Sequence, residues 1–314
     1  MTRAWAFPRH RPQIYAPTGR TLVGAQDVYS YGRDIRLARV GIRLALMTPG
    51  VRRALSRRTT LQLPMDEATW RETLTAASRL VSLDHWAIFR SSWRNERFIL
   101  FGFDHRHRCT GVIHAFPRDH VTFHPLAQAT LFRVPEIIGT QDVNAWHVRV
   151  VEPIPPRHRP FGWNPARIVD IGVEVSRLLA GAVSSPGPVP EDWVPVHGDM
   201  TPWNMRVDRN DRVWLIDWEW ATIAPPATDL LRFALTHRSL RTDDPDELVS
   251  WLTSNLPVDD VAIRAAARQW LSHRMYAPSS SRTSRTEDVP GVSAARGQAA
   301  VEAQVLERLA TYAE

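Results

Sequence analysis

Residues 194–229 read VPVHGDMTPWNMRVDRNDRVWLIDWEWATIAPPATD, and the reading of this stretch decides the rest. A short apolar run, Val194-Pro195-Val196, breaks into His197-Gly198-Asp199. Asn204 lies five residues beyond Asp199, a polar turn covers Asp208 to Asp211, and a second apolar run, Val213-Trp214-Leu215-Ile216, ends on Asp217. The pattern predicts strand, polar loop, short strand, turn, short strand and a carboxylate at the tip of the returning hairpin. Two carboxylates and an amide arranged in this way can converge on one point. Their oxygens suit a hard cation such as Mg2+, which takes one or two carboxylates and leaves the rest of its shell to water and phosphate. The other carboxylate stays available to orient a nucleophile.

The order H-G-D-x-x-x-x-N followed by I-D-W-E resembles the catalytic loop and metal-binding segment of the aminoglycoside phosphotransferase and choline kinase family, which shares its fold with the protein kinases. In protein kinases the loop carries an Asp as base and an Asn as metal ligand. The resemblance is closest from Phe161 to Phe233 and reaches back to about His85. It implies an α+β, protein-kinase-like two-lobed fold, with a small antiparallel-sheet N-lobe and a mainly helical C-lobe. It also implies a kinase that moves the γ-phosphoryl group of Mg-ATP, or Mg-GTP, to a hydroxyl of a small metabolite. Asp199 would be the base, and Asn204 and Asp217 the Mg2+ ligands, within a catalytic loop at 197–204 and a metal segment at 216–219. Asp229, in P-A-T-D-L-L, resembles the helix-start aspartate that supports the loop, and His197 is read as a hydrogen-bonded brace rather than an acid or base. Glu219 could touch metal or substrate, or serve as a solvated partner for an arginine.

Composition sets the frame. The chain has 314 residues, 44% hydrophobic and 23% charged, which is globular rather than disordered and long enough for two lobes. Residues 1–13 carry no apolar signal-peptide core, and no run reaches the roughly 18 apolar residues that span a bilayer. Cys109 is the sole cysteine, so no internal disulfide can form and a cytoplasmic setting is expected. The formal charge is +6, and all 39 basic residues are arginine. Any role that requires a lysine therefore has no residue to fill it.

Around the central stretch the chain divides into three. Residues 1–60 read as a basic N-terminal extension, with a helix over 34–47 and eight arginines between Arg33 and Arg58. That segment can contact an anionic partner, or it is simply a solvated face; nucleic acid is not an expected partner of the whole. Residues 61–152 read as the small lobe. An amphipathic helix from Asp66 to Val81 precedes strand runs at 86–89, 98–103 and 110–116, and a further run lies at 145–151. Residues 153–314 form the C-lobe, joined through the Pro-rich run 153–160. Asn164-Pro165 starts its first helix. Further helices are expected over 229–237, 259–276 and 301–312, with a Ser/Thr/Arg-rich loop at 278–296.

The family's small lobe implies nucleotide contacts from Ser91 and Ser92, in a phosphate loop without glycine, from His114 at the third-strand position where a lysine would stand, and from Glu152 at the hinge. Arg94, Arg97 and Arg118 are alternative cations for phosphate. No helix glutamate can be placed after Pro117. The missing lysine keeps a second reading open: a pseudokinase-like binding or regulatory module. A metal-dependent hydrolase fits less well, because no second His/Asp cluster has metal-ligand spacing.

Overall fold

The computed structural model describes residues 2–7, 14–28, 44–61, 63, 65–89, 98–120, 123–125, 129–156, 158–184, 188–238, 242, 244–259, 261–268 and 304–311. The fold is α+β, and the chain divides into two compact units.

The first unit comprises Met1–Thr122, Pro135–Pro160 and Val207–Trp214. Its centre is an eight-stranded sheet in the order β3-β1-β2-β4-β5-β6-β8-β7. The strands are β1 (Thr2–Phe7), β2 (Ile14–Ala16), β3 (Arg57–Leu61), β4 (His85–Phe89), β5 (Phe98–Phe103), β6 (Cys109–Pro117), β7 (Ile137–Val143) and β8 (Trp146–Val151). All neighbouring pairs are antiparallel. Helices α1 (Gly19–Val28), α2 (Pro49–Leu55) and α3 (Glu67–Ser78) accompany it.

Both faces of the central strands β4, β5 and β6 carry buried residues. Ile88, Leu100, Ile113, Val148 and Val150 pack with Trp70, Ala76 and Ala77 of α3. Ala87, Phe101 and Phe103 pack with Ile14, Leu22 and Ala25. This explains why β5 reads FILFGF without alternation, since a strand covered on both sides has no polar face. Helix α3 starts where its cap dictates: the Asp66 carboxylate accepts from the Thr69 amide at 2.8 Å, a bond worth about 1 kcal/mol in helices generally.

The second unit comprises Phe123–Val134, Phe161–Arg206 and Leu215–Glu314. Helix α4 (Pro165–Leu179) is capped by Asn164, which accepts from the Arg167 amide at 3.1 Å, and buries Ile168, Ile171, Val175 and Leu179 along one face. Helices α5 (Thr228–Arg238) and α6 (Pro245–Asn255) follow, with further helical residues at 261–268 and 304–311. After β9 (Arg159–Pro160), strand β10 (Val194–Val196) pairs antiparallel with β13 (Thr222–Ala224). Strands β9, β11 (Met205–Val207) and β12 (Val213–Leu215) form a three-stranded sheet in the order β12-β11-β9, of which Arg159–Pro160 and Val207–Trp214 are counted with the first unit. Among the described residues, no helix is long and apolar enough to cross a membrane.

Residues 1–60 differ from the separate basic extension expected of them. They supply β1, β2, β3 and α1 to the same sheet and core as the meander. The physical reason is pairing: among the described residues β3 stands at the edge of the sheet and joins it through β1, and a strand held by long-range pairing leaves little mark in its own composition. Most of the expected helix over 34–47 lies outside the described residues, and 44–47 are helical. The loop at 278–296 also lies outside them, as do parts of the helices expected at 259–276 and 301–312. Between Pro117 and Ile137 the described residues hold one 3-10 turn, Arg118–His120, and no α-helix.

Candidate active site

The loop after β10 is held by helix α5. Asp229, in the first turn of α5 and buried, accepts from the His197 amide through Oδ2 at 2.8 Å and from the Gly198 amide through Oδ1 at 2.9 Å. Gly198 has φ +78°. A Cβ there would stand 2.1 Å from the carbonyl oxygen of Trp220. We expect Gly198→Ala to destabilise the protein by about 2–5 kcal/mol, from left-handed strain plus the clash with backbone. An unchanged urea midpoint in that variant would show that the loop does not need this conformation.

His197 is fully buried and uses both ring nitrogens. Nε2 lies 3.0 Å from the Ile216 carbonyl, and Nδ1 accepts from the Asp199 amide at 3.2 Å. This fixes a neutral Nε2–H tautomer. Burial pushes the imidazole pKa down to about 4, with the Ile216 carbonyl pulling the other way. The Trp218 ring packs against it at 4.6 Å. A ring so engaged supports the loop and has no nitrogen left for proton transfer.

Asp199 projects beyond this support. Its Oδ1 accepts from Nε and Nη2 of Arg232 at 2.9 and 2.8 Å. Its Oδ2 accepts from Nδ2 of Asn204 at 2.7 Å, and the same amide nitrogen donates to the Asp199 carbonyl at 2.9 Å. Burial raises the Asp199 pKa, opposed by the Arg232 charge and by the hydrogen bonds from Arg232 and Asn204. Arg232 stands one helical turn after Asp229 on α5. Sequence reasoning missed it, although an arginine three residues after a loop-clamping aspartate shares that residue's helix face and was the available signal.

Asn204 is placed by the turn that Thr201 closes: its amide donates to the Thr201 carbonyl at 3.1 Å. Both hydrogens of its Nδ2 are spent on Asp199, so its Oδ1 is the side-chain atom not engaged there. The Ile216 amide donates to the Asn204 carbonyl at 3.0 Å, which brings the start of residues 216–219 beside Asn204. Asp217 follows with φ 66° and ψ 61°, a left-handed conformation at a strand end that aspartate tolerates better than most residues. An amide oxygen and a carboxylate are hard ligands, and this donor set fits Mg2+ completed by phosphate and water. Among the described residues, no group of three or more His, Cys, Asp or Glu side chains could form a metal cage by itself.

Asp229 carries a pH signature. Burial raises its pKa to about 6, the amides of His197 and Gly198 oppose this, Asp199 adds to it and Arg232 opposes it. Its folded value exceeds the ordinary 3.8, so the folded state holds the extra proton and gains stability as pH falls from about 6 to 3.8. His197 runs the other way. Its folded value is depressed, so stability is lost as pH falls from 6.5 to about 4. Each contribution is on the order of 3 kcal/mol, and in the wild type they largely cancel. In Asp229→Asn the histidine acts alone. The stability advantage of wild type over this variant should then grow by about 3 kcal/mol between pH 6.5 and 4. Urea unfolding at several pH values measures this, and a pH-independent difference would refute a buried ionisable Asp229.

The residues assigned to the nucleotide belong to the first unit. Ser91 and Ser92 lie outside the described residues, as do Arg94 and Arg97. His114 is half-buried on β6, on the face opposite the cluster that holds Ile113 and Ala115. It pairs across strands with Ile99 and with Arg149. Arg149 is 8% exposed, with its guanidinium 5.3 Å from the Phe116 ring centroid. It is a cation beside the third-strand position that sequence reasoning overlooked, since its place depends on pairing register. Arg118 faces Asp142 at 3.6 Å. Glu152 exchanges two bonds with Glu136: its amide donates to the Glu136 carbonyl at 2.9 Å, and its Oε2 accepts from the Glu136 amide at 3.1 Å.

The second unit's loop therefore holds a buttressed carboxylate, Asp199, with the Asn204 amide bonded to it and Asp217 at the end of the strand that follows. The sequence comparison agrees with the resemblance read from the motif. Residues 166–256 match the family APH, described as a phosphotransferase enzyme family. No curated protein matches the chain. Similar solved structures include an amicoumacin kinase, hAmiN, in complex with AMP-PNP, Ca2+ and Ami, at 9% identity over 80% of this chain and 95% of that one, with a TM-score of 0.47. Choline kinase LicA from Streptococcus pneumoniae is 12% identical over 78% of this chain and 100% of its own, with a TM-score of 0.41. An aminoglycoside phosphotransferase, APH(4)-Ia, in ternary complex with ADP and hygromycin B, is 12% identical over 77% of this chain and 98% of its own, with a TM-score of 0.45.

Proposed function

We propose that the protein is a kinase-like small-molecule phosphotransferase that moves the γ-phosphoryl group of ATP or GTP to a hydroxyl of a small metabolite. The observation that carries this reading is the Asp199 carboxylate, fixed by Asn204 and Arg232 on a loop clamped by Asp229. The family match over residues 166–256 supports it. The acceptor hydroxyl donates to Asp199, which holds it in line with the γ-phosphorus. As the new O–P bond forms, the bond to the nucleoside diphosphate breaks and its oxygen leaves with the electron pair. The hydroxyl proton passes to Asp199. Such transfers owe most of their acceleration to positioning and charge, which a rigid carboxylate provides. Asn204 Oδ1 and Asp217 would hold Mg2+, whose chemistry there is to offset charge on the phosphate oxygens. Ser91, Ser92, His114 and Glu152 are the proposed nucleotide contacts. Trp220, 59% exposed and with its backbone against Gly198, offers an apolar surface to the acceptor.

One observation favours a second reading, a non-catalytic binding module: the chain contains no lysine to meet the nucleotide phosphates. A thermal-shift series of ATP and GTP, each with and without Mg2+, separates the two. A ligand at 100 times its Kd stabilises by about 2.7 kcal/mol, so the kinase reading expects a clear rise in Tm with nucleotide and metal together. No rise with either nucleotide at millimolar concentration favours the binding module.

A further inference from the structure

The two oxygens of Asp199 are not equivalent. Oδ1 receives two N–H bonds from one guanidinium, whereas Oδ2 receives a single bond from Asn204. A carboxylate offers about four lone-pair sites, two on each oxygen. Oδ1 is therefore filled and Oδ2 retains one acceptor direction. The pair is largely enclosed, with side-chain exposure of 20% for Arg232 and 16% for Asp199. Helix α5 thus grips the loop twice: Asp229 holds the backbone at His197 and Gly198, and Arg232, one turn later, holds the carboxylate.

We propose that Arg232 is a positioning residue that commits Oδ1 of Asp199, so that the acceptor hydroxyl can donate only to Oδ2. The inference rests on the kinase reading of the site. Two charge-assisted N–H bonds from one guanidinium pin Oδ1 in place, which a single-point ammonium does not, and with Asn204 on Oδ2 they set the plane of the carboxylate. A neutral side chain at 232 leaves the carboxylate held by Asn204 alone, free to rotate and to present either oxygen. The hydroxyl then meets a base whose lone pair is misdirected, although nucleotide binding, which Arg232 does not touch in this account, is preserved.

The test uses the full chain with Mg-ATP and water as acceptor, which needs no knowledge of the natural metabolite. Mg-ADP affinity and thermal stability are measured alongside hydrolysis. Arg232→Ala is expected to lower the hydrolysis rate by about 10–100-fold, the scale of an ångström-level misplacement, with Mg-ADP affinity within about twofold of wild type. Added guanidinium ion at millimolar concentration should restore part of the rate in Arg232→Ala and none in Asp199→Asn. Arg232→Lys, which keeps the charge and loses the fork, should hydrolyse at an intermediate rate, and it carries the test if Arg232→Ala does not fold. Hydrolysis at the wild-type rate in the alanine or lysine variant overturns the inference. So does a rate loss that tracks a fall in Tm and Mg-ADP affinity and is not relieved by guanidinium. Wild type that binds Mg-ADP but hydrolyses no ATP also overturns it, leaving the nucleotide assignment intact. Wild type that binds no magnesium nucleotide overturns the kinase reading itself, and this inference with it.

Discussion

Replacing Asp199 by Asn is expected to lower turnover with Mg-ATP by about 10²–10⁴-fold, the range a positioned base contributes. The variant keeps the side-chain shape but removes the charge that Arg232 and Asn204 both address. An amide in that place must aim one oxygen and one NH2 group at surroundings that present only donors, the guanidinium on one side and the Asn204 amide on the other. Its oxygen will take the guanidinium, and no acceptor then remains for the hydroxyl. Because Arg232 loses the Asp199 charge, stability is measured with activity. Asp199→Asn/Arg232→Gln, which removes both charges, should regain stability but not turnover. The assignment fails if either variant phosphorylates an acceptor, or hydrolyses ATP, at close to the wild-type rate.

Removing Asp217 should be almost as damaging, through a different quantity. Asp217→Ala is expected to weaken Mg2+-dependent nucleotide binding by at least about 100-fold, because a cation that takes one or two carboxylates loses its main anionic ligand. The left-handed backbone at Asp217 complicates the alanine variant, since most L-residues there cost about 1–2 kcal/mol. Asp217→Asn avoids this, because asparagine tolerates the same conformation and keeps one oxygen. The expected pattern is a large loss of metal-dependent affinity in both variants, with fold stability reduced only in Asp217→Ala. Calorimetry of Mg-ADP and of metal-free ADP separates the two effects. Affinity for Mg-ADP like that of wild type in Asp217→Asn and Asp217→Ala alike would remove Asp217 from the metal site.

What could be read from sequence was local. His197-Gly198-Asp199, Asn204 and Asp217 sit on a short stretch whose strand–loop–hairpin pattern depends on neighbours in the chain, so the loop and the hairpin that carry them were legible from spacing. The same holds for the helix starts at Asp66 and Asn164, where a cap residue bonds an amide three positions away. The strands at 85–89, 98–103 and 109–117 were legible because turn residues separate dense apolar runs. The strands in residues 1–60 were not. Three-residue Ile14–Ala16 has too little length for a pattern, and Arg57–Leu61 is an edge strand whose pairing, not its composition, makes it β.

By itself, then, the sequence determined the motif residues, their order and the absence of any lysine. Tertiary structure alone decided which partner each of them meets. Nothing in the spacing shows that the two amides at 197 and 198 both point at Asp229, 31–32 residues later, or that Arg232 reaches Asp199 from the same helix. Nor does it show that Arg149 stands opposite His114, which follows from the register of β8 on β6. Those contacts join residues far apart in the chain, and their geometry is set by how α5 and the strands pack. The physical reason is that caps, turns and alternation act over a few residues, whereas the environment of a buried carboxylate is made by whatever the fold brings within about 3 Å of it.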